Sequence, residues 1–265
     1  MRRGSSWGGA ALSAVVAVAA VVALMPGAAH AAPHASAAAH DGGLASRPLV
    51  LILVMAALSL LPFALLMVTS FVRISVVLSI LRSAIGTPSV PPTQVLTGLS
   101  LVLTIAVMAP TVQRMYDAMK PALGAVASGD VTSAETLGAL GGAGDRAKEP
   151  LRDFILKHTD PRDRASFLAV TLKSRSPAER AAVTDRDFGV IVPAFVTSEL
   201  RRAFQIGFLL FIPFLVVDMV IANLLLALGM HMLSPTTVSL PFKLLLFVVA
   251  DGWTLVIRGL LMSYT

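Results

Sequence analysis

The sequence predicts an all-α protein of the integral-membrane type: apolar helical hairpins broken by proline, with a small polar helical insert, that self-associate. Three observations predict it. The 265 residues are 56% hydrophobic and only 14% charged, with a mean hydropathy of +0.81, far from the balance of a soluble domain. The apolar residues collect in long blocks of helical length. Those blocks nonetheless carry ionisable side chains, which in lipid must face other helices or a water-filled passage.

Residues 1–31 follow the plan of an export signal. Arg2 and Arg3 give a charged start, 10–24 an apolar run, Pro26-Gly27 a breaker, and Ala29-His30-Ala31 a small-x-small cleavage triplet. Cleavage is expected between Ala31 and Ala32, an uncleaved anchor being the alternative. Residues 32–47 (APHASAAAHDGGLASR) then form a flexible linker without periodicity.

The first apolar hairpin is expected over 48–115. Pro62 divides its opening block by removing one backbone hydrogen bond. Residues 49–61 alone rise about 20 Å as helix, short of a hydrocarbon core of about 30 Å. Arg73 and Arg82 fall on opposite faces of the second half, and each has to meet protein or water. Gly86-Thr87-Pro88 and Pro91-Pro92 end that helix, and Thr93 is expected to cap the next, an apolar run reaching about Met108 before Pro110. Val112, Met115 and Met119 extend it as an apolar stripe.

Residues 116–187 hold 11 basic and 11 acidic side chains, so the net charge of +6 lies elsewhere and no basic face for nucleic acid is present. Thr132-x-x-Glu135 and Ser176-Pro177-Ala178-Glu179 have the form of capping boxes, and Leu151, Phe154 and Ile155 form an apolar stripe. A small helical insert follows, with 138–144 as a flexible joint.

The second hairpin, 188–265, contains blocks over 190–228 and 238–262, interrupted by Pro193, Pro213 and Pro241. Phe204, Phe208, Phe211 and Leu215 share one helical face and read as packing. Among the charges here are Glu199, Asp218, Lys243 and Asp251. Lys243 and Asp251 lie about 12 Å apart along a straight helix and about 80° around it, too far to pair. A turn near Met232-Leu233 brings Asp218 and Lys243 to within about 6 Å in height, as a cross-helix pair. Short, broken, charge-bearing helices of this kind call for an obligate oligomer.

No enzyme constellation is present: no P-loop, no HExxH, no nucleophile elbow, and no motif supporting Asp218 and Asp251 as an aspartyl dyad. With no cysteine, and only His158 and His231 beyond the N-terminal region, a zinc site within one chain is unsupported, and no cofactor is expected. One metal feature remains, Met230-His231-Met232, because thioethers and imidazole suit copper(I). It admits an alternative as a small-solute or copper transporter. The same unbranched side chains also repack easily around gaps, which suits a closure that yields.

Two stretches carry a resemblance: MVTSFVRISVVLSILRSAIGTPSVPPTQVLTGLSLVLTIAVMAP, and VPAFVTSELRRAFQIGFLLFIPFLVVDMVIANLLLALGMHMLSP with its sequel LPFKLLLFVVADGW. They closely resemble the FliP family of type III secretion export-gate subunits, from residue 49 onward and weakly across 116–187. The export signal and GTPSVPP look like the flagellar branch. The resemblance implies a pore-forming core subunit of the export gate in the cytoplasmic membrane at the flagellar base. It implies five copies assembled with FliQ and FliR, contact with other export apparatus proteins, and passage of unfolded secreted proteins. It also implies that Met230 and Met232 act as a gasket, with His231 replacing the middle of three methionines common in the family. Five imidazoles at a constriction would titrate near neutral pH and loosen the seal by repulsion, unless His231 points into the wall. Arg73, Glu199, Asp218, Lys243 and Asp251 are expected to make inter-helix or inter-subunit contacts.

Overall fold

A computed structural model describes residues 46–87, 89–128 and 134–265. The predicted signal segment, its Ala31/Ala32 junction, residues 32–45 of the linker, and Thr132 of the first capping box lie outside the described residues. Among those described, every regular element is helical: α1 (Ser46–Met67), α2 (Phe71–Ile85), α3 (Thr93–Ser128), α4 (Ala134–His158), α5 (Pro161–Ser174), α6 (Pro177–Arg180), α7 (Phe188–Ala227), α8 (Pro235–Val249) and α9 (Gly252–Met262).

Several local expectations are corrected. Pro62 lies inside α1, and the break falls after Met67 instead. Helix α3 runs through Pro110 and Pro121, and α7 through Pro193 and Pro213. A proline removes only its own N–H from the ladder and crowds one turn, whereas unwinding would strip several backbone groups of partners in an apolar stretch. The expected joint at 138–144 is helical within α4. Its small residues Ala143 and Gly144 are buried, and close packing there offsets the helix penalty of glycine. Thr93 does not cap α3; its hydroxyl accepts a hydrogen bond from Arg82 Nη1 at 3.0 Å.

The described residues divide into two compact units, one within 46–68 and 110–154, the other within 69–109 and 155–265. In the first, Met115, Met119 and Ala122 of α3 and Ala143, Ala147, Leu151 and Phe154 of α4 supply buried apolar surface. Lys148 pairs with Asp145 one turn away at 2.9 Å, and Arg152 with Glu149.

The second unit is organised around α7, against which α2, α5 and α8 pack, with α9 on α8. Ile74, Val77, Leu78 and Leu81 of α2 and Ile191, Ala194, Phe195 and Ala203 of α7 are almost wholly buried, so the two stripes form one dry seam. Helix α2 ends on Gly86 (φ 86°), whose N–H donates to Ser83 O at 3.1 Å, a left-handed stop that glycine adopts freely. The Ser176 box at α6 forms: Glu179 Oε2 accepts from the Ser176 N–H at 3.1 Å and from its Oγ at 2.9 Å.

Helices α3, over Thr93–Gly124, and α7, over Phe188–Ala227, are each long and apolar enough to cross a membrane, and α8 with α9 forms a third candidate bent by 61°. Close approach of α2 to α7 depends on Gly207, where a Cβ would lie 2.5 Å from Ile80 Cδ1 and 3.1 Å from its Cβ. Gly207→Val should lower stability by about 1–3 kcal/mol through overpacking, and Ile80→Ala in the same chain should recover part of it. Thermal unfolding of the detergent-solubilised protein measures both; no loss in Gly207→Val would contradict this packing.

Candidate functional site: a tethered loop hairpin

Helices α7 and α8 form a hairpin whose tip is the Met-His-Met stretch. Helix α7 ends in a reciprocal pair of backbone bonds, Met230 N–H to Leu225 O at 2.9 Å and Gly229 N–H to Leu226 O at 3.1 Å, with Gly229 at φ 72°. This termination needs a left-handed residue at Gly229, and it turns the chain sharply out of the helix. Ser234 at the N-cap position and Pro235 in the first turn start α8 again. Residues 228–234 are thus a short, defined loop. His231 is exposed, Met230 is 48% exposed and Met232 is 99% exposed, so the thioether of Met232 projects fully beyond the chain.

Behind the tip, the hairpin is tied by the pair anticipated from chain geometry. Lys243 Nζ donates to Asp218 Oδ2 at 2.6 Å, and Ser239 Oγ donates to Asp218 Oδ1 at 2.5 Å. Lys243 is buried, and its Nζ lies 3.8 Å from where a Cβ on Gly86 would stand. The cation therefore sits beside the C-terminal end of α2, where helix carbonyls favour positive charge.

At the far end lies a denser network. Arg73 Nη2 donates to Glu199 Oε1 in an ion pair whose side chains are 1% and 0% exposed. Glu199 Oε2 accepts from the Tyr264 hydroxyl. Arg73 Nη1 donates to Ser263 Oγ at 3.0 Å and to its carbonyl at 3.3 Å, while the guanidinium stacks 4.0 Å above the Tyr264 ring. His158, at the end of α4, meets that ring edge-on at 5.1 Å. Helix α2 and the residues following α9 thus converge on the one carboxylate that α7 presents, with α4 against the Tyr264 ring. Burial first, then the charges of Arg73, Lys157 and Arg202, lower the His158 pKa from 6.5 to about 4. Burial, then the Glu199 charge, pushes the Tyr264 phenol far above its ordinary range.

A neighbouring cluster was not foreseen. Asp160 caps α5 by accepting from Arg162 N–H at 2.9 Å, and Asp163 accepts from Ser198 Oγ at 2.7 Å and Arg201 Nη2 at 2.5 Å, joining α5 to α7. Asp160-Pro161 is itself a helix-start signal that the chain displays openly. Tyr264 has no comparable local signal. The remaining anticipated residue, Asp251, is exposed between α8 and α9, and its carboxylate makes no cap bond. The Phe204 stripe differs from expectation: Phe204 and Phe208 are 62% and 67% exposed, so within one chain this face is uncovered. Among the described residues no group of three or more His, Cys, Asp or Glu side chains could hold a metal ion.

Comparison with known proteins gives one family. The FliP family model matches residues 54–260. The chain is 49% identical over 216 residues to the flagellar biosynthetic protein FliP of Pectobacterium carotovorum subsp. carotovorum, covering 80% of this chain and 77% of that one. It is 44% identical to FliP of Caulobacter vibrioides, covering 95% and 91%, respectively. It is 42% identical to the hypersensitivity response secretion protein HrcR of Ralstonia nicotianae, covering 81% and 96%.

Two outcomes are expected from the buried network. Glu199→Ala leaves Arg73 buried without its counter-charge and should cost about 3–5 kcal/mol, whereas Arg82→Ala, on a half-buried side chain, should cost far less; denaturation midpoints in detergent distinguish them. For His158 the folded pKa is depressed, so as pH falls the unfolded chain takes up the proton first. The contribution is fully favourable above about pH 6.5 and is lost between there and about pH 4. His158→Phe, which retains an aromatic edge without the proton, should therefore flatten the pH dependence of the melting temperature over that window; an unchanged slope would count against it.

Proposed function

The chain belongs to the FliP family, and on that premise we propose that its Met230-His231-Met232 loop is the gasket of a protein-conducting pore. The protein is a subunit of a flagellar export gate in the inner membrane, not an enzyme, and it associates with other components of the export apparatus. The small-solute or copper transporter reading has no support from its relatives.

In the proposed assembly five copies combine with FliQ and FliR, and the tips of the α7–α8 hairpins meet at the constriction through which unfolded secreted proteins pass. The observation that carries this is the loop itself: two methionines and a histidine at a fixed helical tip, with Met232 99% exposed. An unbranched thioether exposed in this way has no role within one chain, but in a ring it fills an irregular gap and gives way without covalent change. The uncovered apolar face bearing Phe204, Phe208 and Met219 supports burial against neighbouring subunits or lipid. Asp251, an exposed carboxylate between two apolar helices, suits a contact with another subunit. Arg73, Glu199, Asp218 and Lys243 hold each hairpin in register so that the tips coincide. The organisation that fits is a removable signal over 1–31, a linker over 32–47, hairpins over 48–115 and 188–265, and the insert 116–187 between them.

Met230→Ala with Met232→Ala should raise ion leak several-fold through assembled complexes while export and motility persist; wild-type tightness would overturn the gasket. In the same assay His231→Met, which supplies a third thioether, should leave the closure at least as tight; a leak above wild type would count against the tip as the seal.

A further inference from the structure

Among the described residues, Asp251 is the one non-glycine with a left-handed backbone, at φ 49° and ψ 49°. It stands at the break where α8 and α9 meet at 61°. An L side chain is disfavoured in this conformation, yet the next residue is Gly252, a glycine that would accept it without steric penalty and does not take it. Packing explains the displacement. Gly252 is buried against Phe247, and a Cβ there would lie 2.2 Å from ring Cε2 and 2.3 Å from Cδ2. The ring has little room to retreat, because Trp253 meets it edge-on at 5.4 Å and Phe214 lies at 6.4 Å. The missing side chain of Gly252 is thus used to admit Phe247, and the strained turn falls on Asp251.

The two arms of this bend are held unequally. Beyond α9, Ser263 and Tyr264 enter the buried network of Arg73 and Glu199. Helix α8 is held to α7 by Phe247 against Phe214 and by one polar tie, the carboxylate of Asp218, which is 31% exposed. Relief of the bend would therefore part the Asp218 contacts first, and α8 would carry residues 228–234 with it.

We infer that residues 250–252 are a preloaded hinge: straightening there swings α8 and its attached loop as one arm, while α9 stays anchored. This rests on the reading of that loop as the gate. Strain of this kind persists only where surrounding contacts impose it, and here the tethers at the two ends of the bent pair do so, with Phe247 seated in the space that Gly252 leaves.

The test uses assembled complexes carrying spin labels at Phe242→Cys and Met262→Cys, in a chain that otherwise has no cysteine. Twenty residues of straight helix span about 30 Å, and the bend shortens that distance. Gly252→Ala should shift the label distance to the longer value and raise ion leak per assembled complex several-fold. Adding Phe247→Ala makes room for the Cβ and should restore both. If the Gly252 variants do not assemble, Asp251→Ala against Asp251→Gly replaces them, with an expected difference of roughly tenfold in the ratio of straight to bent forms. Distances unchanged in Gly252→Ala, or not restored in the double variant, overturn the hinge. Distances that lengthen without added leak uphold the hinge and instead overturn the loop as gate.

Discussion

The second unit depends on a buried ion pair between residues far apart in sequence. Arg73 and Glu199 come from α2 and α7, and removing either from water carries a desolvation penalty of several kcal/mol. The pair is tolerable because Tyr264 and Ser263 from beyond α9 hydrogen-bond Glu199 Oε2 and Arg73 Nη1, although Arg73 Nε stays buried without a partner. An apolar pair would fill the same space without that penalty, but it would not select one register. Two charges, a phenol and a carbonyl meet favourably in one alignment, and sliding α7 by a single residue, about 1.5 Å, would break it.

From that anchor the hairpin extends to its tip with one further tie, Asp218 to Lys243. Proline at 193 and 213 does not unwind α7, because the apolar setting makes open backbone groups costlier than one lost bond. Rigid arms convert a fixed register at the base into a fixed position for Met230, His231 and Met232. The protein then needs flexibility only in side chains at the tip and, by the inference drawn above, at one joint. That division of labour suits a gate which must be tight at rest and still admit an unfolded chain.

The sequence was most legible where the period of the helix and the cost of burying charge both bear on the same residue. The Asp218–Lys243 tie follows from counting residues back from the Met-His-Met turn, and the need for a partner at Arg73 follows from its place in an apolar run. Glu199 as that partner did not follow, since pairing across more than a hundred residues leaves no local mark; nor did Tyr264. Proline was overread as a breaker at Pro62 and Pro110: both are exposed within helices that continue through them, because in an apolar stretch one lost backbone bond costs less than unwinding a turn. Asp251 was legible as an ionisable residue needing a partner, but its left-handed backbone was hidden because Gly252 offers the obvious site for such a turn.

The central claim is that the Met232 side chains of neighbouring copies meet at the tip of the hairpin. Because the chain has no cysteine, a single Met232→Cys is an unambiguous reporter. Mild oxidation of membranes holding assembled complexes should give disulfide-linked pairs of this chain at position 232, and none from Val170→Cys, an exposed site on α5. Failure of Met232→Cys to cross-link in complexes that have assembled normally would contradict the account.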